Sequence, residues 1–226
     1  MKQKYSEKRT AVLAVAVILI LIVADFSSRT AIKDAMAART HVPITCVESE
    51  KCDVALTYTL SLNSDVDAIT DSLGETKATF FIEPDVLEKK PEDVKKIAEN
   101  GHEIGIARND LKKNTQQEIY DKLAGMTEQT AHITGVNTNL VRFGLNLYDS
   151  NAVKAVFSVD LYPIQWSTDG TVGNYSAGDI ILVTDDTDVK ALIEKLKADG
   201  FNTVTVGELL VKGSYKIDIG GRMIPD

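Results

Sequence analysis

The chain has 226 residues, 44% of them hydrophobic and 26% charged, with a formal net charge of −8. That length supports one sizeable core and not two ordinary domains, and the composition excludes intrinsic disorder. Residues 1–10 carry Lys2, Lys4, Lys8 and Arg9 against Glu7, a net of +3, so the rest of the chain carries −8 less +3, or −11. An acidic body of this kind excludes nucleic acid as a partner, because phosphate binding draws on clustered Lys and Arg; a neutral or cationic partner fits better.

The basic stub over residues 1–10 precedes Ala11–Ala24, a run without one polar side chain. It is short beside the roughly 20 residues of a spanning helix and falls within the about 7–15 of a signal-peptide core, although Thr10 and Phe26 extend it. No good cleavage site follows directly. Ile22 stands where a small residue is wanted if cleavage follows Ala24, and the small-x-small sequence Ala35-Met36-Ala37 lies well beyond the run. The expectation is an uncleaved signal-anchor, a transmembrane helix over 11–26, with a cleaved signal peptide as the alternative. The basic residues stay on the cytoplasmic side and the C-terminal bulk goes out, giving a single-pass protein of the cell membrane. Residues 27–51 read as a juxtamembrane stalk. Cys46 and Cys52 are close enough in sequence to close a small-loop disulfide in an oxidising compartment, two free thiols being the alternative.

Beyond the stalk, apolar strands and amphipathic helices alternate. Cys52–Tyr58 is a β-prone apolar run, followed by Val66, Ile69 and Leu73 at helical spacing and a stop at Gly74. Ala78–Ile82 is a second strand. Pro91 opens a helix with Val94, Ile97 and Ala98 on one face, which Gly101 ends. Glu103–Ala107 is a third strand, and Thr115–Thr134 is a helix striped by Ile119, Leu123 and Met126. Asn139–Phe143 is a fourth strand, Ser150–Ser158 a short helix, Leu161–Trp166 a fifth strand and Asp179–Thr184 a sixth. Val189, Leu192, Ile193 and Leu196 mark a helix ended by Gly200. Phe201–Val206 is a seventh strand, with a final turn at Glu208–Val211, and residues 213–226 read as a tail. Short apolar strands separated by helices require parallel pairing with crossovers. By pattern alone this is an α/β fold, either an incomplete barrel or a doubly wound sheet.

Several stretches carry a resemblance. Val54–Tyr58 (VALTY), Lys77–Ile82 (KATFFI), Glu99–Gly105 (ENGHEIG), Arg142, Trp166, Gly178–Leu182 (GDIIL) and Asp199–Leu210 (DGFNTVTVGELL) resemble, in order and spacing, the NodB-homology domain of polysaccharide deacetylases, carbohydrate esterase family 4. The resemblance spans residues 52–212 and implies a distorted (β/α)7-type barrel. It also locates where catalysis belongs. The family's first strand ends in a Thr-Phe-Asp-Asp-Gly motif that supplies a catalytic base and a metal ligand. Here that run is Thr57-Tyr58-Thr59-Leu60-Ser61, without a carboxylate. Two metal-binding histidines follow the family's Gly-His-Glu-Ile-Gly run. Here the first falls on Ala107, and Arg108, Asn109 and Asp110 follow with no second histidine. Arg142 matches the arginine that orients the catalytic aspartate, and Thr184 stands where the family places its general-acid histidine. Trp166 and Asp169 resemble remnants of a further motif.

Amide hydrolysis by this route needs a divalent ion to polarise the carbonyl and bring its bound water towards a pKa near ~7. An aspartate and two histidines hold that ion, and a carboxylate and a histidine move the protons. None of those groups is retained, so the resemblance implies no cofactor, no metal and no catalytic residue at Thr59, Leu60, Ala107 or Thr184. Candidate ligand-binding residues are Tyr58, Arg142, Trp166, Asp169 and Asp185. Tyr58, Tyr162 and Trp166 are either sugar-stacking aromatics or packing, and Arg142 either binds an anion or glycan hydroxyl or sits in an ion pair. Asp185, Asp186 and Asp188 either hold a cation or charge and cap the following helix. His102 belongs to the structural run. The expected function is binding of a cell-envelope glycan or protein partner by a membrane-tethered, non-catalytic domain. A deacetylase with a site rearranged around Asp169, Asp185 and Asp186 is the alternative, and a pure scaffold is a third reading.

Overall fold

The computed structural model describes residues 42–145 and 147–226, which belong to the compact unit Thr40–Asp226. The expected basic stub (1–10), anchor helix (11–26) and most of the stalk therefore lie outside the described residues. Among the described residues no helix is long and apolar enough to cross a membrane.

The strands are β1 (Cys46–Val47), β2 (Asp53–Leu60), β3 (Thr79–Ile82), β4 (Glu103–Arg108), β5 (Leu140–Phe143), β6 (Tyr162–Pro163), β7 (Thr168–Asp169), β8 (Ile180–Leu182), β9 (Asn202–Val204), β10 (Tyr215–Ile217) and β11 (Arg222–Pro225). The helices are α1 (Val66–Leu73), α2 (Pro84–Lys89), α3 (Pro91–Glu99), α4 (Gln116–Thr134), α5 (Ser150–Ser158), α6 (Val189–Ala198) and α7 (Val206–Leu209). Polar residues fix where several helices begin. Asp65, Asp149 and Asp188 cap α1, α5 and α6 through their carboxylates, and Thr115–Glu118 and Thr205–Glu208 form capping boxes on α4 and α7.

The main sheet runs β6-β5-β4-β3-β2-β8-β7, with β9 also paired to β2. Every pairing in it is parallel, including Thr59 opposite Phe81, Phe81 opposite Gly105, and Ala107 opposite Arg142. This is the α/β fold expected from the alternation, and it takes the form of a curled half-barrel. Successive residues alternate between two apolar layers. Val54, Leu56, Tyr58, Leu60, Phe80, Ile82, Ile106 and Val141 pack outward among the helices, whereas Ala55, Phe81, Ala107, Leu140 and Ile180 face the concave side. Burial on both faces is what makes these strands read as continuous apolar runs.

The two open edges of the curl are β6 and β7, and the chain just before β2 straps across the gap between them. The Ile44 N–H donates to the Pro163 carbonyl (2.8 Å), and the Gln165 N–H donates to the Ile44 carbonyl (2.7 Å). Cys46 bridges Asp179, just before β8, and the Val47 N–H donates to the Gly178 carbonyl (2.9 Å). β1 also pairs in parallel with β11, which pairs antiparallel with β10. Residues 213–226 are therefore no tail. They form a hairpin whose Ile217 and Met223 are buried with Ile44 and Val47 under the concave face, and the last part of the expected stalk belongs to the domain.

The expected Cys46–Cys52 disulfide is absent; both thiols are free. Cys46 is held on the β8 flank of β2 by its bridge to Asp179. The Cys52 carbonyl accepts from the Asn202 N–H (2.7 Å), next to the pairing of Asp53 with Asn202 on the β9 flank. The pairings hold the two cysteines on opposite sides of one strand.

Gly178 makes the strap possible. Its φ is +85°, and a Cβ there would fall 1.7 Å from the Val47 carbonyl oxygen, a collision with backbone that no side-chain rotation relieves. Gly178→Ala is expected to destabilise the fold by about 2–4 kcal/mol, read as a lowered urea midpoint. A change within experimental error would show that the strap is dispensable.

Candidate functional site

The positions singled out by sequence converge on the carboxyl ends of the parallel strands, where α/β sheets place their ligands. At their centre is Arg142 on β5, which is 2% exposed. Its Nη2 donates to Thr57 Oγ1 (2.8 Å) and its Nη1 reaches Thr59 Oγ1 (3.4 Å). The Thr57 hydroxyl in turn donates a hydrogen bond to the Ile181 carbonyl on β8 (2.9 Å). The guanidinium carbon lies 4.0 Å from the centre of the Phe81 ring and 5.3 Å from that of Trp166. Arg142 thereby ties β5, β2 and β8 together from the concave side.

No carboxylate approaches Arg142 among the described residues, so the expected ion pair is not formed. Its Nε is buried without an acceptor. Burial lowers its pKa to about 9, which leaves it protonated at neutral pH. A charge held this way is opposed by desolvation. The two ring faces offset part of that cost, about 0.5–2 kcal/mol per cation–π contact. Gly105 permits the arrangement, since a Cβ there would sit 2.6 Å from the Phe81 ring and displace it from the guanidinium.

The remaining expected positions divide between the faces. Thr59 lies on the concave side, within reach of Arg142. Ala107, 2% exposed, pairs with Arg142 across the ladder and offers a methyl group. Leu60 belongs to the helix-side core. Thr184 is exposed just past β8, its N–H donating to Thr187 Oγ1 (3.2 Å). Trp166 is half-buried, just beyond β6. Tyr58 does not belong to this group. It points to the opposite face of β2, is 5% exposed, and stacks on Phe80 at 5.0 Å; burial pushes its phenol well up. It is a core residue and cannot stack on a sugar.

The acidic candidates are occupied locally or apart. Asp169 accepts from both the backbone N–H and the hydroxyl of Thr171, and those bonds hold its carboxyl below the usual range. Asp188 caps α6, while Asp185 and Asp186 are exposed on the preceding turn. Among the described residues no three His, Cys, Asp or Glu side chains form a group able to hold a metal. The family's metal therefore does not fit. Its positions offer methyl, isobutyl and hydroxyl groups, and the nearest fixed charge is a cation that repels a divalent ion.

Sequence reasoning missed Thr57 and Phe81. Both were legible in principle, because Thr57 shares the face of Thr59 at the two-residue strand period and only one of Phe80 and Phe81 can face the helices.

His102 and Glu103 lie at the other end of the strands. The Ala78 N–H donates to His102 Nδ1 (3.3 Å), and the ring stands edge-on to Phe80 at 5.1 Å. Glu103 accepts from Thr79 Oγ1 (2.7 Å) and from the Gly207 N–H (3.0 Å) at the start of α7. Burial raises its pKa, opposed by those bonds. Both residues are structural ties.

Residues 47–164 match the family model for polysaccharide deacetylase, and the chain belongs to that family. The fold is similar to that of BA3943, a CE4-family pseudoenzyme from Bacillus anthracis, at 22% identity over 75% of this chain and 69% of that one, with a TM-score of 0.68. It is similar to a family 4 carbohydrate esterase from Bacillus anthracis, at 20% identity over 78% and 90%, TM-score 0.68. It is also similar to the Bc1960 peptidoglycan N-acetylglucosamine deacetylase, at 26% identity over 74% and 91%, TM-score 0.66. No curated protein matches the chain.

Two outcomes follow from these environments. Burial, with Lys77 adding to it, lowers the His102 pKa to about 4, below the ~6.5 of an unfolded histidine. The unfolded chain then binds the extra proton first, so stability falls as pH drops from about 6.5 towards about 4 and levels off below that, by up to ~3 kcal/mol. Urea unfolding from pH 7 to 4 should show this decline, and His102→Gln should flatten it. Thr59→Asp returns a carboxylate to the buried guanidinium and is expected to raise stability by about 1–3 kcal/mol. An unchanged or lowered urea midpoint would contradict the reading of Arg142 as an uncompensated charge.

Proposed function

We propose that this protein is a non-catalytic member of the polysaccharide deacetylase family, tethered by its N-terminal apolar segment outside the cytoplasmic membrane, and that it binds cell-envelope glycan or an envelope protein. The observation that carries the non-catalytic reading is Arg142, which donates to threonine hydroxyls where the resemblance calls for a carboxylate. Deacetylation requires a Lewis acid, a base and an acid within reach of one amide. Leu60, Ala107 and Thr184 cannot provide them. The similarity to a pseudoenzyme of the same family supports the reading at the level of fold.

A site rearranged around Asp169, Asp185 and Asp186 gains no support, because Asp169 is engaged by Thr171 and, among the described residues, no three His, Cys, Asp or Glu side chains form a group able to hold a metal. The tether rests on the basic stub and the apolar run Ala11–Ala24, and the neutral or cationic partner rests on the acidic charge balance. Glycan is favoured by Trp166, a half-buried aromatic beside the guanidinium, since such rings offer a face to sugar C–H groups.

Purified full-length protein incubated with zinc, cobalt or nickel and then desalted is expected to retain no stoichiometric metal. It is also expected to release no acetate from N-acetylated glycans. Chelator-sensitive acetate release would overturn the proposal. In a glycan pull-down, Trp166→Ala should lower retention several-fold, whereas indifference to that change would favour a scaffold.

A further inference from the structure

A guanidinium sealed from water is stable only if its donors are satisfied and its charge is answered. At Arg142 neither condition is met by the described residues. Two donors go to hydroxyls, Nε has no acceptor, and the covering groups are the rings of Phe81 and Trp166. The resemblance puts a carboxylate at Thr59, and Thr59 brings a hydroxyl at 3.4 Å instead. The side chain that would have supplied the charge is gone, and the arginine that answered it remains.

We propose that Arg142 and Thr59 form a binding site for a carboxylate supplied by a ligand, with Trp166 as the outer wall. The inference rests on the non-catalytic reading of this site and names the ligand chemistry it takes. A planar carboxylate matches the fork of a guanidinium better than a spherical or tetrahedral anion does. Thr59 adds a hydroxyl donor, a role it lacks toward the guanidinium, to which it can only accept. Entry is past Thr59, the exposed member of the group, and along the half-buried Trp166. The net charge of −8 opposes accumulation of anions at long range, but that repulsion is screened beyond roughly 10 Å at ordinary ionic strength. Recognition is therefore short-range, and a single carboxylate is taken in preference to a polyanion. The carboxylate has two sources, a free small acid or a sugar acid whose ring lies against Trp166.

The chain has one tryptophan, so its emission reports on this site alone. Full-length protein is titrated with sodium formate, sodium acetate, sodium glucuronate and glucose, with ionic strength held constant by sodium sulfate. The expected result is a saturable change in emission with the carboxylates and none with glucose. Tm should rise with the logarithm of carboxylate concentration. A response to formate and acetate alone identifies a free acid, and a tighter response to glucuronate identifies a sugar acid. Arg142→Met should lose the response. Thr59→Asp, which supplies its own carboxylate and keeps the fold, should weaken it at least about tenfold, the equivalent of 1.4 kcal/mol. No saturable response in the unaltered protein, or an equal one in Thr59→Asp, overturns the proposal. Metal retention and acetate release measured on the same samples report separately on the non-catalytic reading.

Discussion

A positive charge buried under an aromatic ring, with threonine hydroxyls as its nearest polar company, sets the character of this fold. Arg142 has four neighbours that each exist for another reason as well. Thr57 belongs to the β2–β8 connection, Thr59 continues β2, Phe81 fills the concave core, and Trp166 ends the β6 segment. Together they hold the guanidinium in a slot that Gly105 keeps open by lacking a Cβ. The polysaccharide deacetylase family uses such an arginine to orient a carboxylate. Without the carboxylate the arginine becomes a cross-strand tie, and what was the support of a reaction becomes part of the packing.

That change separates the residues that keep the frame from the positions where the family's catalytic groups are substituted. Family positions divide into those that hold the half-barrel and those that act through it. The Gly-His-Glu-Ile-Gly run serves the frame. His102 caps a strand end, Glu103 grips the start of α7 through the Gly207 N–H, and Gly105 admits Phe81. Replacing any of these disturbs packing or leaves buried polar groups unpaired. The Ala107 methyl on the concave rim adds no buried polar group that needs a partner, so that position can change while the frame cannot.

Much of this was legible in the residue order. The strands at Cys52–Tyr58, Ala78–Ile82 and Glu103–Ala107 stand out because both their faces are buried, and the helices at Thr115–Thr134 and from Val189 show their apolar stripe and their stops. The same two-sided burial hid the orientation of Tyr58. An apolar run records that a strand is central but not which side chains face the helices, and only the register with Phe80 and Phe81 settles it. The Cys46–Val47 and Tyr215–Pro225 strands escaped notice because they are two to four residues long and mix polar with apolar side chains. Their pairing is set by partners remote in sequence. The two-turn helix Pro84–Lys89 was too short to show a period. The disulfide failed for a related reason, since proximity along the chain says nothing about which flank of β2 each cysteine occupies.

The strap from Ile44 to Val47 has a mechanical meaning. Among the described residues it lies close to the start of the domain, and it is hydrogen-bonded to the β6 segment, the approach to β8, and β11. A pull applied at residue 42, where the described residues begin, would reach the seam of the half-barrel before it reached the helices. The seam bonds lie on both sides of the strap. The closing element of the fold is thus also the part of the domain that such a pull would meet first.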